Sequence, residues 1–155
     1  MILDEGLEFA DATALDTTGT DTDLIGDVID IGVARDIGQG QPLYFVVQIT
    51  TALTSGGSAT VQFSLASDSV EDVATDGTQS IHFLSNAIAV ADLTAGKKLI
   101  FPLPMGDGDA AITTGYERYL GFQTVTAVAA LTAGAVNAFL TLDPHGSKNY
   151  PDANN

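Results

Sequence analysis

Apolar side chains in this chain recur every second residue, and nowhere at the three-to-four spacing of an amphipathic helix. Successive side chains of a strand point to opposite faces, so a period of two builds a sheet with one buried face. Leu43, Phe45, Val47 and Ile49 fall on one face of a strand whose other face carries Tyr44, Val46 and Gln48, the pattern of a central strand. Val61, Phe63 and Leu65 alternate with Thr60, Gln62 and Ser64, as in an antiparallel strand with one wet face. Ile81 and Phe83 alternate with Ser80 and His82, and Val136, Ala138, Leu140 and Leu142 share a face of the last strand. Leu99 and Phe101 precede Pro102 and Pro104; proline withholds a ladder hydrogen bond, which confines that end to an edge or a turn. With strands at 116–125, near 28–31 and a short one near 7–9, the count reaches about eight, spaced as in a sandwich or barrel.

Turn residues fall between these segments, at Ser55-Gly56-Gly57, Asp76-Gly77, Ala95-Gly96, Gly106-Asp107-Gly108 and Ala133-Gly134. A length of 155 residues without a structureless divider predicts one domain with its own core. Its expected parts are an acidic N-terminal arm and connection over 1–27, a sandwich over 28–145 and a tail over 146–155. Cysteine is absent, which excludes disulfides and thiolate chemistry. The first residues carry Asp4, Glu5 and Glu8 where a signal peptide needs bases and then an apolar run, so a soluble, unprocessed protein is expected.

Twenty acids against five bases (Arg35, Lys97, Lys98, Arg118 and Lys148) give a net charge of −15. Phosphate recognition needs clustered positive charge, so nucleic acid and anionic membrane are not expected partners. Ten acids lie in residues 1–36 beside a single base. That concentration is either a solvated face that aids solubility or a segment that docks on a basic partner. Leu3, Leu7 and Phe9 interleave with Asp4, Glu5 and Glu8, which fits a partner-binding arm with apolar anchors, or the first strand of the domain's own sheet. Arg35, set between Asp30 and Asp36 before the central strand, either pins its loop through a carboxylate or engages a partner directly. The outer faces bearing Tyr44, Val46 and Tyr119 are candidates for self-association if the domain leaves them open.

The pattern of a catalytic centre is missing. Asp21-x-Asp23 opens like a calcium loop, but Ile25 replaces an oxygen ligand and Gly32 stands where the bidentate Glu belongs. Asp107 and Asp109 offer few of the oxygens calcium requires, so no metal and no cofactor are expected. His82 lies on the polar face of its strand, outside any ligand spacing, as a surface or rim histidine. Asp143, His145 and Ser147 are the residue types of a hydrolytic triad, but they crowd into one loop where a triad needs convergence from separate elements. No catalytic residue is assigned, and the chain reads as a binding protein and not an enzyme.

A set of short segments resembles a family of tailed-phage capsid cement (decoration) proteins, typified by the one from a Bordetella phage. They are Met1-Ile2-Leu3-Asp4, Ile29-Asp30-Ile31-Gly32, Ala34-Arg35-Asp36-Ile37-Gly38 and Pro42-Leu43-Tyr44. Phe101-Pro102-Leu103-Pro104, Arg118-Tyr119-Leu120 and Thr132-Ala133-Gly134-Ala135-Val136 continue the series in order. The resemblance implies an all-β, jelly-roll-like antiparallel β-sandwich of about eight strands with an extended N-terminal arm. It further implies a small symmetric oligomer, assembled in the host cytoplasm and seated on the outer capsid surface of the virion, where it bridges subunits of the major capsid protein; a homodimer is the default among symmetric oligomers and a homotrimer the next choice. The alternative is a carbohydrate-binding or other adhesive β-sandwich module, for which seven Phe, four Tyr and no Trp make a poor aromatic platform. A hydrolase on a jelly-roll fold is a further alternative that lacks its nucleophile and base.

Overall fold

The alternating segments become nine antiparallel strands in the computed structural model, which describes residues 5–15, 19–34, 37, 41–103 and 115–145. The strands are β1 (Glu8–Ala14), β2 (Thr22–Asp30), β3 (Tyr44–Ser55), β4 (Thr60–Asp68), β5 (Ser80–Leu84), β6 (Ile88–Ala89), β7 (Lys98–Pro102), β8 (Tyr119–Ala127) and β9 (Leu131–Thr141). One sheet has the order β1-β9-β3-β7 and the other β2-β8-β4-β5, with the two-residue β6 added beside β4. Pairs β4·β5, β3·β7, β2·β8 and β1·β9 are the rungs of one long antiparallel hairpin. Rolling that hairpin on itself adds the pairs β3·β9 and β4·β8, which is the jelly roll.

In β3, β4 and β9 as far as Leu140 the inner faces are those the alternation marks, whereas Ile81 and Leu142 are exposed. Phe45, Val47 and Ile49 of β3, Val61, Phe63 and Leu65 of β4, and Val136, Ala138 and Leu140 of β9 all join one buried cluster. Phe45 is its centre, with ring contacts at 5.5–6.4 Å to Phe9, Phe83, Phe101 and Phe122. At the β5/β7 corner Phe83 lies 4.6 Å from Phe101, so two edge strands close the sandwich with an aromatic pair. Pro102 ends β7, an edge strand, where its missing N–H costs no ladder bond.

The stretch expected as an arm and connection is instead integral to the sandwich. Residues 8–14 pair with β9 and residues 22–30 pair with β8, and Phe9 is fully buried against Phe45. Phe9 is therefore a core side chain and not an anchor for a partner. Register shifts in both strands blur the alternation there. At Gly26, where φ is +70°, a Cβ would lie 2.0 Å from the Phe9 carbonyl oxygen, so β2 passes β1 backbone to backbone and only glycine fits. Leu3 and Asp4 lie outside the described residues.

Two further expectations change. Ala133-Gly134 is not a turn but lies inside β9: with φ at +149°, a Cβ on Gly134 would stand 2.8 Å from Leu53 Cγ, so the glycine admits a close approach of β3. Val46 is fully buried on the outer face of its sheet beside its register partner Phe139, also fully buried. That removes Val46 as an open self-association surface, while Tyr44 and Tyr119 are half-buried.

Candidate interaction surfaces

Carboxylates gather along the β1/β2 corner. A shallow cleft of about 340 Å³ is lined by Glu5, Glu8, Ala10, Asp11 and Asp27. Glu5 and Leu7 stand in an exposed 3-10 turn that leads into β1. A bulged β1 follows, in which Ala12 takes φ of 45° and its N–H donates to Asn137 Oδ1 at 2.6 Å. Partial burial, then the nearby charges of Asp11 and Glu5, raise the Glu8 carboxyl above its ordinary range. Like charges so placed are expensive until an opposite charge arrives.

A second cleft, of about 420 Å³, opens on the outer face of the other sheet between Thr22, Asp23, Leu24 and residues 72–76. The β4–β5 connection covers that face: Val73 is buried over Gly121, and Gln123 Nε2 donates to the Ala74 carbonyl at 2.7 Å. Asp68 organises the connection. Desolvation opposes its charge, but backbone N–H groups of Ala74, Val70 and Ser69 and the Ser69 hydroxyl together hold its carboxyl below the usual range. Burial, and then Asp21, raise Asp23. Among the described residues no group of three or more metal-ligating side chains converges. Asp107 and Asp109 lie outside them.

The far end of the same sheet carries a polar lock that alternation hides. Between the register pairs Leu65↔Phe83 and Ala66↔Ile81 the partner strand advances two residues for one, so His82 is the extra residue of a bulge. The bulge takes His82 off the polar face expected for it: the ring stacks on Tyr116 at 4.0 Å, and Nε2 lies 2.7 Å from Ser67 Oγ. Ser67 Oγ also accepts the Glu117 N–H at 3.0 Å, so one hydroxyl serves both the ring and the backbone that leads into β8. Burial lowers the His82 pKa to about 4, which keeps the ring neutral. Beside it Ser80 donates to Glu117 Oε1 at 2.8 Å. A hydroxyl and an imidazole at hydrogen-bond distance are two members of a nucleophilic set, but Ser67 is fully buried, and no described carboxylate bonds to His82. The arrangement ties the entry of β8 to β4 and β5.

Next to this lock, Asp30 pairs with Arg118, through Nε–Oδ1 and Nη2–Oδ2 contacts of 2.8 Å each. The Arg118 hydrogen bond, followed by the Gly32 N–H, lowers the Asp30 pKa to about 2. Arg118 also lies 4.8 Å over the Tyr119 ring. Arg35 and Asp36, expected to pin this loop or meet a partner, lie outside the described residues; the Asp30 contact described is with a residue 88 positions away. Lys97 and Lys98 are occupied by backbone carbonyls of Asp92 and Pro144. The three described cations are thus held internally, and no ion pair reaches the acids of either cleft among the described residues. His145 sits in a turn where its N–H donates to Asp143 Oδ1.

The sequence matches the Bbp16 family model over residues 9–140, a span that runs from the second residue of β1 almost to the end of β9. The chain belongs to the Bbp16 family. The family's name suggests a Bordetella phage protein, in keeping with the phage resemblance of the short segments. No curated protein matches the sequence. The Bbp16 match takes in Asp11, Asp27, Asp30, His82 and Arg118, and leaves Glu5 and Glu8 outside it.

Proposed function

We propose that this Bbp16 protein is a cement protein of a tailed-phage capsid, attached to the outside of the shell and bridging subunits of the major capsid protein. The observation that carries the reading is the Bbp16 match across the whole sandwich. The surface chemistry agrees: the described clefts are shallow and rich in carboxylates, which suits contact with a basic surface. Such a surface suits binding without turnover, and a modest contact repeated on every subunit of a particle gains strength from multivalency.

In this reading the acidic β1/β2 corner faces a basic surface of the shell. Exposed charges steer encounter and lose force with salt, so attachment weakens as ionic strength rises. The protein associates with itself as a dimer, or next as a trimer. The carbohydrate-binding alternative gains nothing from the structure, since Phe9, Phe45, Phe63, Phe122 and Phe139 are fully buried and leave no exposed ring platform among themselves.

The test is addition of purified protein to expanded capsids that lack it. Bound protein and a higher capsid melting temperature are expected, and a combined Glu5→Gln, Asp11→Asn, Asp27→Asn variant should bind less at low salt. Capsids that neither bind the protein nor gain stability sink the reading.

A further inference from the structure

The opposite end of the sandwich is built in another way. There the β3–β4 turn, with Gly56, Gly57 and Ser58, meets the β8–β9 turn formed by Val128, Ala129 and Ala130. A Cβ on Gly57 would lie 3.0 Å from the Ala129 Cβ, so the two turns are in contact. Their bases are tied by the Thr54 and Thr132 hydroxyls at 2.9 Å. Ala129 packs on the core, and Val128 projects with 73% of its surface exposed, the most open of the large apolar residues described.

Val128 is also strained. Its φ is 75°, a region that β-branched residues avoid because Cβ and the γ-carbons crowd the backbone. Solvation does not favour an exposed valine, and local conformation disfavours it; glycine satisfies both better and serves at five other positive-φ positions among the described residues. An exposed side chain kept at the expense of stability points to a contact outside the molecule. The charge pattern says what kind. In a chain of net charge −15, residues 54–60 and 126–133 hold no ionisable side chain, while Asp21 and Asp92 stand on the flanks. An uncharged apolar apex with a charged rim is the anatomy of a small protein contact.

We infer that Val128 and the two turns around it form a second attachment point, which inserts into an uncharged apolar pocket on the shell protein. The inference rests on the cement reading. Two short turns offer far less than the roughly 800 Å² per partner of a stable free dimer, whereas a small contact suffices where it is repeated across a particle. That difference favours the shell over a second copy of the chain.

Val128→Gly and Val128→Asp separate the possibilities in the full-length protein. Val128→Gly relieves the backbone and should raise the Tm of the free protein by about 2–4 °C while weakening binding to expanded capsids by about 5-fold or more. Val128→Asp should weaken binding further, by about 10-fold or more, because a charge enters the pocket. The free mass of both variants should equal that of the wild type. Capsid binding unchanged in both variants overturns the inference while leaving the cement reading intact. A fall in free oligomer mass assigns the apex to a second copy and overturns the shell contact. A lower Tm for Val128→Gly overturns the strain on which the inference stands. Wild-type protein that fails to bind capsids removes the cement reading itself.

Discussion

The two ends of the sandwich handle exposed chemistry in opposite ways. At the end where β4 finishes and β8 begins, polar groups are satisfied in a connected set: Ser67 serves His82 and the Glu117 N–H, Ser80 serves Glu117, and Asp30 serves Arg118 and Gly32. At the other end, where β4 begins and β8 finishes, the apex carries no charge and leaves a valine both exposed and strained. One end spends its side chains on holding itself together; the other leaves them for something else. A surface that is polar and self-satisfied makes few new bonds, so adhesion is sought at the apex and at the acids of the β1/β2 corner, which no described cation pairs.

Substitutions test this contrast against the core that joins the ends. Phe9→Ala should cost about 3–5 kcal/mol in chemical denaturation, since it empties the space beside Phe45. A loss below about 1 kcal/mol would mean that β1 is not part of the packed sandwich after all. Ser67→Ala comes next, at about 2–3 kcal/mol, because it strips partners from both the Glu117 N–H and the His82 ring in a buried place. If the lock is decorative, the variant will melt with the wild type.

A smaller effect is expected from acid. His82 stays neutral in the folded protein down to about pH 4, whereas an unfolded histidine takes its proton near pH 6.5. The unfolded state therefore binds more protons between these values, and stability falls as pH drops through that window. The loss is about 1–3 kcal/mol, allowing for the ring's partial exposure to solvent. His82→Gln should flatten this slope relative to wild type in a pH series of melting curves, and an unaltered slope would place its origin elsewhere. Smallest of all is the Asp30 and Arg118 pair. Both side chains are about half exposed, with 43% and 47% of their surface open, so Arg118→Gln should move Tm by only about 1–2 °C. A larger shift would show that the ion pair holds the loop after β2 more firmly than its exposure suggests.

What the sequence reveals depends on how regular each strand is. β3 and β4 alternate without interruption through their middle, so Phe45, Val47, Phe63 and Leu65 declare the core on sight. β1 and β2 contain bulges and a positive-φ glycine, and five of their sixteen residues are acids, so beyond short strands near 7–9 and 28–31 the stretch reads as arm and connection. His82 is missed for the same reason: one extra residue in β5 breaks the parity on which the polar-face assignment depends. The ion pair of Asp30 with Arg118 could not be read from the chain, since its two members lie 88 residues apart and meet only when the hairpin is rolled. Val128 carries no mark in the sequence at all, since a valine among alanines looks like strand until its φ is known.

The rolled hairpin also sets a timetable. β1 finds its partner only in β9, and the N–H of Ala12 reaches a side chain 125 residues further on. Contacts of such separation close late and make folding slow, because the loop between them must be ordered first. Asp11, on β1, and Asp27, on β2, come together at the acidic corner only when β8 and β9 have been synthesised and have paired. A half-made chain on the ribosome has its acids but not their arrangement, so the acidic corner forms in one step, once β9 has paired.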